Sequence, residues 1–251
     1  MGAAVFCGLS LFCFVTGPVL ARFGIVSPMA ALGFLALAAG LGIVSTELGL
    51  VAVIQRRAEW LHYLGFAGLL PAGFVVAAMV RGLLLYPSIN DITTDLEEPP
   101  VFTHAQTLPE NEGRDMAFPA ASKAIIRESY PEVQPLHVEE SPEAAYATAL
   151  EVARQQKNWT ITHESPETLT FEGVAVTPIL RFHDDVIVRV RPCEDGVGAV
   201  IDMRSKSRQG KGDLGRNAER IHAFFEQLEQ TLPTIQKQSD NAAAVVDAGN
   251  P

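Results

Sequence analysis

The chain has 251 residues, of which 48% are hydrophobic, and a formal net charge of −10 at pH 7. Residues 1–85 hold four of the 19 basic and two of the 29 acidic residues, which leaves 15 basic and 27 acidic residues and a net charge of −12 for the rest. Because so acidic a segment repels phosphate backbones, nucleic acid is excluded as a partner. The three cysteines and six histidines lack disulfide or metal-ligand spacing, so neither a metal nor another cofactor is predicted.

Three apolar runs fill the first third of the chain, at 3–21, 29–54 and 61–85. Each is long enough to cross a bilayer core, which takes ~20 residues. Residues 1–85 are therefore predicted to be an anchor of three transmembrane helices whose partner is the lipid bilayer. The sequence 19–21 resembles a signal-peptidase site, but no basic residue precedes the first run, which favours a retained helix.

The basic residues of the anchor predict its topology. Arg56 and Arg57 lie between the second and third runs, and short loops rich in Lys and Arg stay in the cytoplasm. The prediction is a multi-pass protein of the inner (cytoplasmic) membrane with its C-terminal domain in the periplasm. Glu47 interrupts the second run and raises the hypothesis of proton or ion handling. Because that run is longer than a span requires, a structural position near the interface is favoured.

Composition divides the rest of the chain. Residues 86–121 are rich in Pro and acidic side chains, and Pro99-Pro100 excludes a helix there, which predicts an extended connector. Residues 122–232 alternate between helical and strand patterns and are predicted to form a soluble domain. Residues 233–251 lack periodicity and are predicted to be disordered.

The soluble part is predicted to be an α+β fold, a two-layer domain of antiparallel sheet packed against two helices. One helix starts at Ser141-Pro142, with Ser as N-cap, and another follows Asp213. Between them, period-two alternation predicts two hairpins. Their strands begin near residues 159, 168, 185 and 199.

The stretch 199–221 runs from a strand through a glycine-containing loop into the last helix, and most of the domain's positive charge lies in it. Donors beside a helix N-terminus favour a phosphate or carboxylate. The predicted ligand-binding residues are Arg204, Ser205, Ser207, Arg208, Gly210, Lys211, Asp213, Asn217 and Arg220. Alternatively, Asp184, Asp185, Asp202 and Asp213 pair with Arg204, Arg208 and Arg220 and fix the last helix to the sheet.

Several motifs give the chain a resemblance to a bacterial family, domain of unknown function 1499 (DUF1499). They are Ile89–Asp95 with Pro99-Pro100 and Phe102, then Asp184–Val190, and above all the pattern from Asp202-Met203-Arg204-Ser205 to Arg220-Ile221. The resemblance covers about residues 86–230. It implies a domain architecture and a cell-envelope setting, and it brings no reaction.

Two functions are predicted from different classes. The first is a binding or envelope-assembly module for a small anionic ligand or for a membrane or periplasmic protein partner. The second is an envelope-associated hydrolase that uses Asp202, Asp184 or Asp185 as a base beside Ser205 and the arginines. No nucleophile motif, triad order or phosphate loop is readable, so the non-enzymatic interpretation is favoured and the catalytic residues are unknown.

Overall fold

The computed structural model of the protein describes residues 1–56 and 59–232. Its chain divides into two compact units. The anchor unit comprises Met1–Asn90, Ala175–Asp184 and Ser207–Arg216. The domain unit comprises Asp91–Val174, Asp185–Lys206 and Asn217–Pro251, and its tail from residue 233, for which disorder is predicted, lies outside the described residues. Arg57 also lies outside them.

The anchor unit contains three helices long and apolar enough to span a membrane, as predicted. Helix α1 is Gly2–Arg22 and α2 is Pro28–Ile54, which Ser27 caps by accepting a hydrogen bond from the Ala30 N–H. The third span is built from α3 (Trp60–Tyr63), a 3₁₀ turn (Leu64–Gly68) and α4 (Leu69–Leu85).

Small residues let these helices approach closely, which is how membrane helices pack without a hydrophobic driving force. A Cβ added at Gly65 would lie 2.6 Å from the carbonyl oxygen of Ser45, and one added at Gly42 would clash with that of Gly68. The Ser45 hydroxyl donates to the carbonyls of Ala3 and Gly65, at 2.8 and 3.1 Å. Polar contacts therefore join all three spans.

Glu47 points away from this packed interior, since its side chain is exposed on the surface of α2. It lies seven residues before the end of the helix at Ile54, about 10 Å along the axis. That position is two turns from the helix end. Its role in proton handling or anchoring stays a prediction.

The domain is an antiparallel sheet of six strands packed with helices, which confirms the predicted fold class. Strands β3, β4, β5 and β6 are neighbours in chain order, and both β1 and β2 pair antiparallel with β6. The strands are β1 (Asp91–Thr93), β2 (Leu136–Val138), β3 (Trp159–Ser165), β4 (Thr170–Val176), β5 (His183–Pro192) and β6 (Ala199–Ser207).

One face of the sheet carries the longer helices of the domain. These are α6 (Pro142–Gln155) and α7 (Arg216–Glu229), whereas the shorter α5 (Ser122–Ser129) lies beside β1 and pairs its Lys123 with Glu97 of the segment on the opposite face. Tyr146 of α6 packs edge-on against Phe171 of β4, and Trp159 of β3 packs against Phe224 of α7. Helix α7 begins three residues later than predicted because Leu214 and Gly215 have positive φ angles, 56° and 78°, which a right-handed helix cannot include.

The other face is covered by the chain from residue 95 to 121, most of the predicted connector. A buried cluster of Phe102, Ala105 and Met116 from this segment packs on Ile187 of β5. The carboxylate of Glu172 on β4 fixes the segment, because it accepts backbone N–H bonds from Thr103, His104 and Ala105 at 2.7–2.9 Å. The connector thus forms a second covering layer over the sheet.

Candidate functional site

Strand β6 presents its polar residues to both faces of the sheet, because successive side chains of a strand point in opposite directions. On the helical face, the Ser205 hydroxyl donates to the side-chain oxygen of Asn217 at 2.7 Å, and Arg220 donates to the same hydroxyl at 2.9 Å. Ser205 and Asn217 are both buried. These three predicted site residues meet, and together they join β6 to helix α7.

On the opposite face, the Arg204 guanidinium is 1% exposed and makes a bidentate pair with Asp91. Its Nε and Nη2 donate to the two carboxylate oxygens at 2.9 and 2.8 Å. The ammonium of Lys206 donates to the same carboxylate at 2.8 Å. This geometry follows from the register, which places Asp91 opposite Lys206 and Thr93 opposite Arg204 in the β1–β6 pair.

The covering segment completes the surroundings of Arg204. The carbonyls of Pro100 and Met116 accept from its guanidinium at 3.0 and 2.9 Å. Its central carbon lies 4.9 Å from the ring centre of Phe102 and 5.4 Å from that of Phe118, within cation–π range. Arg204 therefore holds β6, β1 and the segment 95–121 together.

Above this arginine the covering segment leaves a cleft of about 760 Å³. Apolar side chains supply much of its wall, and both signs of charge occur at its rim. The lining residues used below are Val101, Phe102, Phe118, Ala120, Arg114, Lys123 and Arg204. We call it the connector cleft.

Arg204 lines the connector cleft and belongs to a group of buried charges that do not balance. Asp91 contributes one carboxylate, whereas Arg204 and Lys206 contribute two cations, and all three side chains are buried. Within the part of the chain that the structure describes, no second carboxylate pairs with these two cations. Buried charge is costly unless it is paired, so this formal excess of one positive charge favours an anion nearby.

Two further networks on the same face are balanced. Asp202 and Asp95 face Arg189 and Arg191, with nitrogen–oxygen distances of 2.8–3.3 Å. The hydrogen bond that Arg191 donates to Asp202 raises the pKa of Arg191. Asp185 pairs with Arg114 at 3.1 Å and accepts from Asn111 at 3.0 Å. The predicted acids Asp185 and Asp202 thus have arginine partners. These partners are Arg114, Arg189 and Arg191, not the arginines that the sequence predicted.

The remaining predicted residues belong to the anchor unit. Ser207 donates its backbone N–H to Asn90, Gly210 accepts from the Asn90 side chain, and Asp213 donates its backbone N–H to Ile89. Arg208, Lys211 and Asp184 lie in the same unit. Of the predicted ligand set, Ser205, Asn217 and Arg220 thus meet on one face of β6, Arg204 lies on the other face, and the remaining members belong to the anchor unit.

Sequence reasoning missed the partner of Arg204 and the aromatic side chains around it. Asp91 lies 113 residues away in the chain, in a segment interpreted as connector. The sequence did hold an indication that these residues are neighbours, since Asp91, Phe102 and Arg204 all fall in the motifs that carry the family resemblance. Motifs distant in sequence but specific to one family are often neighbours in space.

The fold and these contacts define a class of protein: a membrane protein with three apolar helices followed by an α+β domain. A family model described as protein of unknown function (DUF1499) matches residues 91–228. The chain belongs to this family. No curated protein matches it. Among the described residues, no group of three or more His, Cys, Asp or Glu side chains could hold a metal ion.

Proposed function

We propose that the protein is a membrane-anchored binding module and that the connector cleft takes a small anionic ligand with an apolar part. The observation that carries the proposal is the unbalanced buried charge of Arg204, which lines this cleft, and Lys206 against Asp91. A ligand carboxylate or phosphate in the cleft would offset this excess by Coulomb attraction, which the low dielectric of a protein interior screens less than water does.

The lining of the connector cleft indicates which chemical groups the ligand carries besides its anionic group. Val101, Phe118 and Ala120 line it with apolar surface, while Arg114 and Lys123 add donors near its rim. Ligand sites are typically apolar concavities with a few oriented polar groups, and their volumes run from about 300 to 1,000 Å³. A cleft of about 760 Å³ suits a drug-sized molecule rather than a bare inorganic ion.

A hydrolase finds less support in this geometry. Ser205 is the predicted nucleophile candidate, but its hydroxyl is buried and donates to Asn217, an amide that cannot act as a base. Asp202 is fully buried, and its Oδ2 accepts hydrogen bonds from Arg189 and Arg191, so this oxygen is already engaged in ion pairs. Neither group reaches an open surface.

The proposal is tested by thermal shift on the full chain with benzoate and phenyl phosphate as anionic probes and benzamidine as the cationic counterpart. A ligand at 100 times its dissociation constant stabilises the folded state by ~2.7 kcal/mol. We expect stabilisation by the two anions and not by benzamidine. Lys206→Met, which removes the excess charge and leaves the Asp91–Arg204 pair, should abolish that preference. Equal shifts with benzamidine would contradict the proposal.

We also propose that the domain lies outside the cytoplasm, in the periplasm of a cell with an inner membrane. The support is the sequence charge pattern at Arg56 and Arg57 together with three spans, which put the two ends of the anchor on opposite sides. A membrane or periplasmic protein partner is part of this proposal if the anionic group belongs to a peptide. Acidic peptides in the same screen distinguish that source from a small molecule.

A further inference from the structure

The loop after β6 is fastened to the end of the third membrane span. Its Gly210 carbonyl accepts from the Asn90 side chain at 2.5 Å, and the Asp213 N–H donates to the Ile89 carbonyl at 3.2 Å. Leu214 packs on the helix itself, since a Cβ added at Gly82 would lie 2.7 Å from Leu214 Cδ2. All of these residues belong to the anchor unit.

This contact fixes the depth of Leu214. Gly82 lies three residues before the end of α4 at Leu85, about 4.5 Å along the helix axis. The third span is apolar up to that end apart from the exposed Arg81, so Gly82 is at the boundary between hydrocarbon and headgroups. A side chain packed on Gly82 from outside the helix is therefore at the same level of the bilayer.

Leu214 itself has the properties of a membrane contact. It is 57% exposed and has a φ angle of 56°, a left-handed conformation that non-glycine residues seldom adopt. Such a conformation is unfavourable for an L residue, and an exposed leucine does not regain that free energy by burial in a core. Strain retained at an exposed apolar side chain is evidence for a function outside the folded interior.

Positive charge accompanies the apolar side chain. Residues 208–216 hold Arg208, Lys211 and Arg216 against a single acid, Asp213, within a part of the chain whose net charge is −12. Lys211 is exposed, and so is Arg81, the neighbour of Gly82 on α4. Cations at a membrane surface are attracted to anionic lipid headgroups. The loop has the combination of apolar insertion and basic charge that interfacial segments use.

We propose that the loop 208–216 is a membrane-surface contact, in which Leu214 enters the interface and Lys211 with Arg81 binds the phosphate of anionic lipid headgroups. The contact ties the loop that starts α7 to the bilayer. This role is separate from ligand binding in the connector cleft. It also differs from the anion site predicted for the same loop, because the anion is part of the bilayer.

The test uses the full chain in lipid nanodiscs with a nitroxide at Leu214→Cys, in a background where the three native cysteines are serine. Val197→Cys is the matched control, a 64% exposed apolar residue in the β5–β6 turn. In discs containing phosphatidylglycerol we expect position 214 to collide with dissolved oxygen and to be shielded from a water-soluble nickel complex. Position 197 should show the reverse. Equal nickel access at the two positions would overturn the proposal.

A second experiment distinguishes binding to lipid from binding to free phosphate. It also places the label at a position other than Leu214, in case the Leu214 variant is perturbed. With the label at Gln209→Cys, an exposed position of the same loop, nickel access should be lower in discs with phosphatidylglycerol than with phosphatidylcholine alone. Lys211→Gln should remove that difference, whereas Lys157→Gln, an exposed lysine after α6, should not. Access that inorganic phosphate lowers equally well in phosphatidylcholine discs would overturn the assignment to lipid.

Discussion

Arg204 carries more of the domain's structure than any single polar residue described above, and its replacement should show this. Arg204→Ala leaves Asp91 buried with one cation and frees two carbonyls, those of Pro100 and Met116. Lys206 still neutralises Asp91, but each buried carbonyl that loses its donor costs about 1–3 kcal/mol. Denaturant unfolding of the full chain with Trp60→Phe, which makes Trp159 the reporter, should show a loss of this size.

The matched control for this loss is Arg127→Ala. Arg127 pairs with Glu97 at the surface, where both side chains are more than half exposed. Exposed pairs contribute about 0–1 kcal/mol, so this variant should unfold almost like the wild type. Equal stabilities for the Arg204 and Arg127 variants would contradict a clamp at Arg204.

Cys193 offers a prediction on reactivity. Desolvation of its thiol and the neighbouring carboxylate of Asp195 raise its pKa. Because the thiolate is the nucleophile, alkylation by iodoacetamide at pH 7 should be slower than for an ordinary thiol and should rise at higher pH. Asp195→Asn should lower the pKa of Cys193 and so shift the pH profile of the alkylation rate to lower pH. A profile unchanged by this substitution, measured with Cys7 and Cys13 replaced by serine, would contradict the assigned cause.

At the scale of elements, the helix packing of the anchor depends on glycines that touch a neighbouring backbone. Gly42→Ala places a methyl group against the Gly68 carbonyl, which cannot move without shifting the third span. Overpacking of this kind costs about 1–3 kcal/mol. The thermal midpoint of the full chain with Trp159→Phe, read from Trp60, should fall. Gly40→Ala, with nothing within 4 Å of the added Cβ, should leave it unchanged or raise it.

The elements also show what the sequence could reveal. Strands β5 and β6 and helix α7 are long enough for their periodicity to be read, so the fold class could be predicted. Strands β1 and β2 have three residues each, too few for an alternation to stand out. The covering segment 95–121 could not be read either. Its order comes from distant partners such as Glu172 and Arg204, not from local propensity.

The candidate site was hidden for the same reason. Its charged floor joins Asp91 to Arg204 and Lys206 through strand pairing, and its aromatic walls come from loops without periodicity. The positive charge along the sequence instead predicted a site that includes the loop 208–216. That loop contains the basic residues that were expected, but they belong to the anchor unit rather than to the connector cleft.

At the scale of the whole molecule, the proposed topology makes a simple prediction. A reporter fused after Leu232 should be active when it requires the periplasm, as alkaline phosphatase does, and inactive when it requires the cytoplasm, as green fluorescent protein does. Adding four lysines to the loop between the first and second spans should weaken this orientation, because short basic loops stay inside. Cytoplasmic activity of the unaltered fusion would contradict the placement.

The most direct test of the binding proposal is native mass spectrometry of the full chain purified from its own membranes. The account predicts one small molecule bound per chain in the wild type. It also predicts loss of that molecule in Ala120→Trp, which fills the connector cleft, and its retention in Ala147→Trp, an exposed position of α6. Near-ultraviolet circular dichroism, which reports the packing around Trp159, checks that both variants are folded. A wild type without a bound molecule that also fails to bind the anionic probes, or one whose ligand survives Ala120→Trp, would contradict the account.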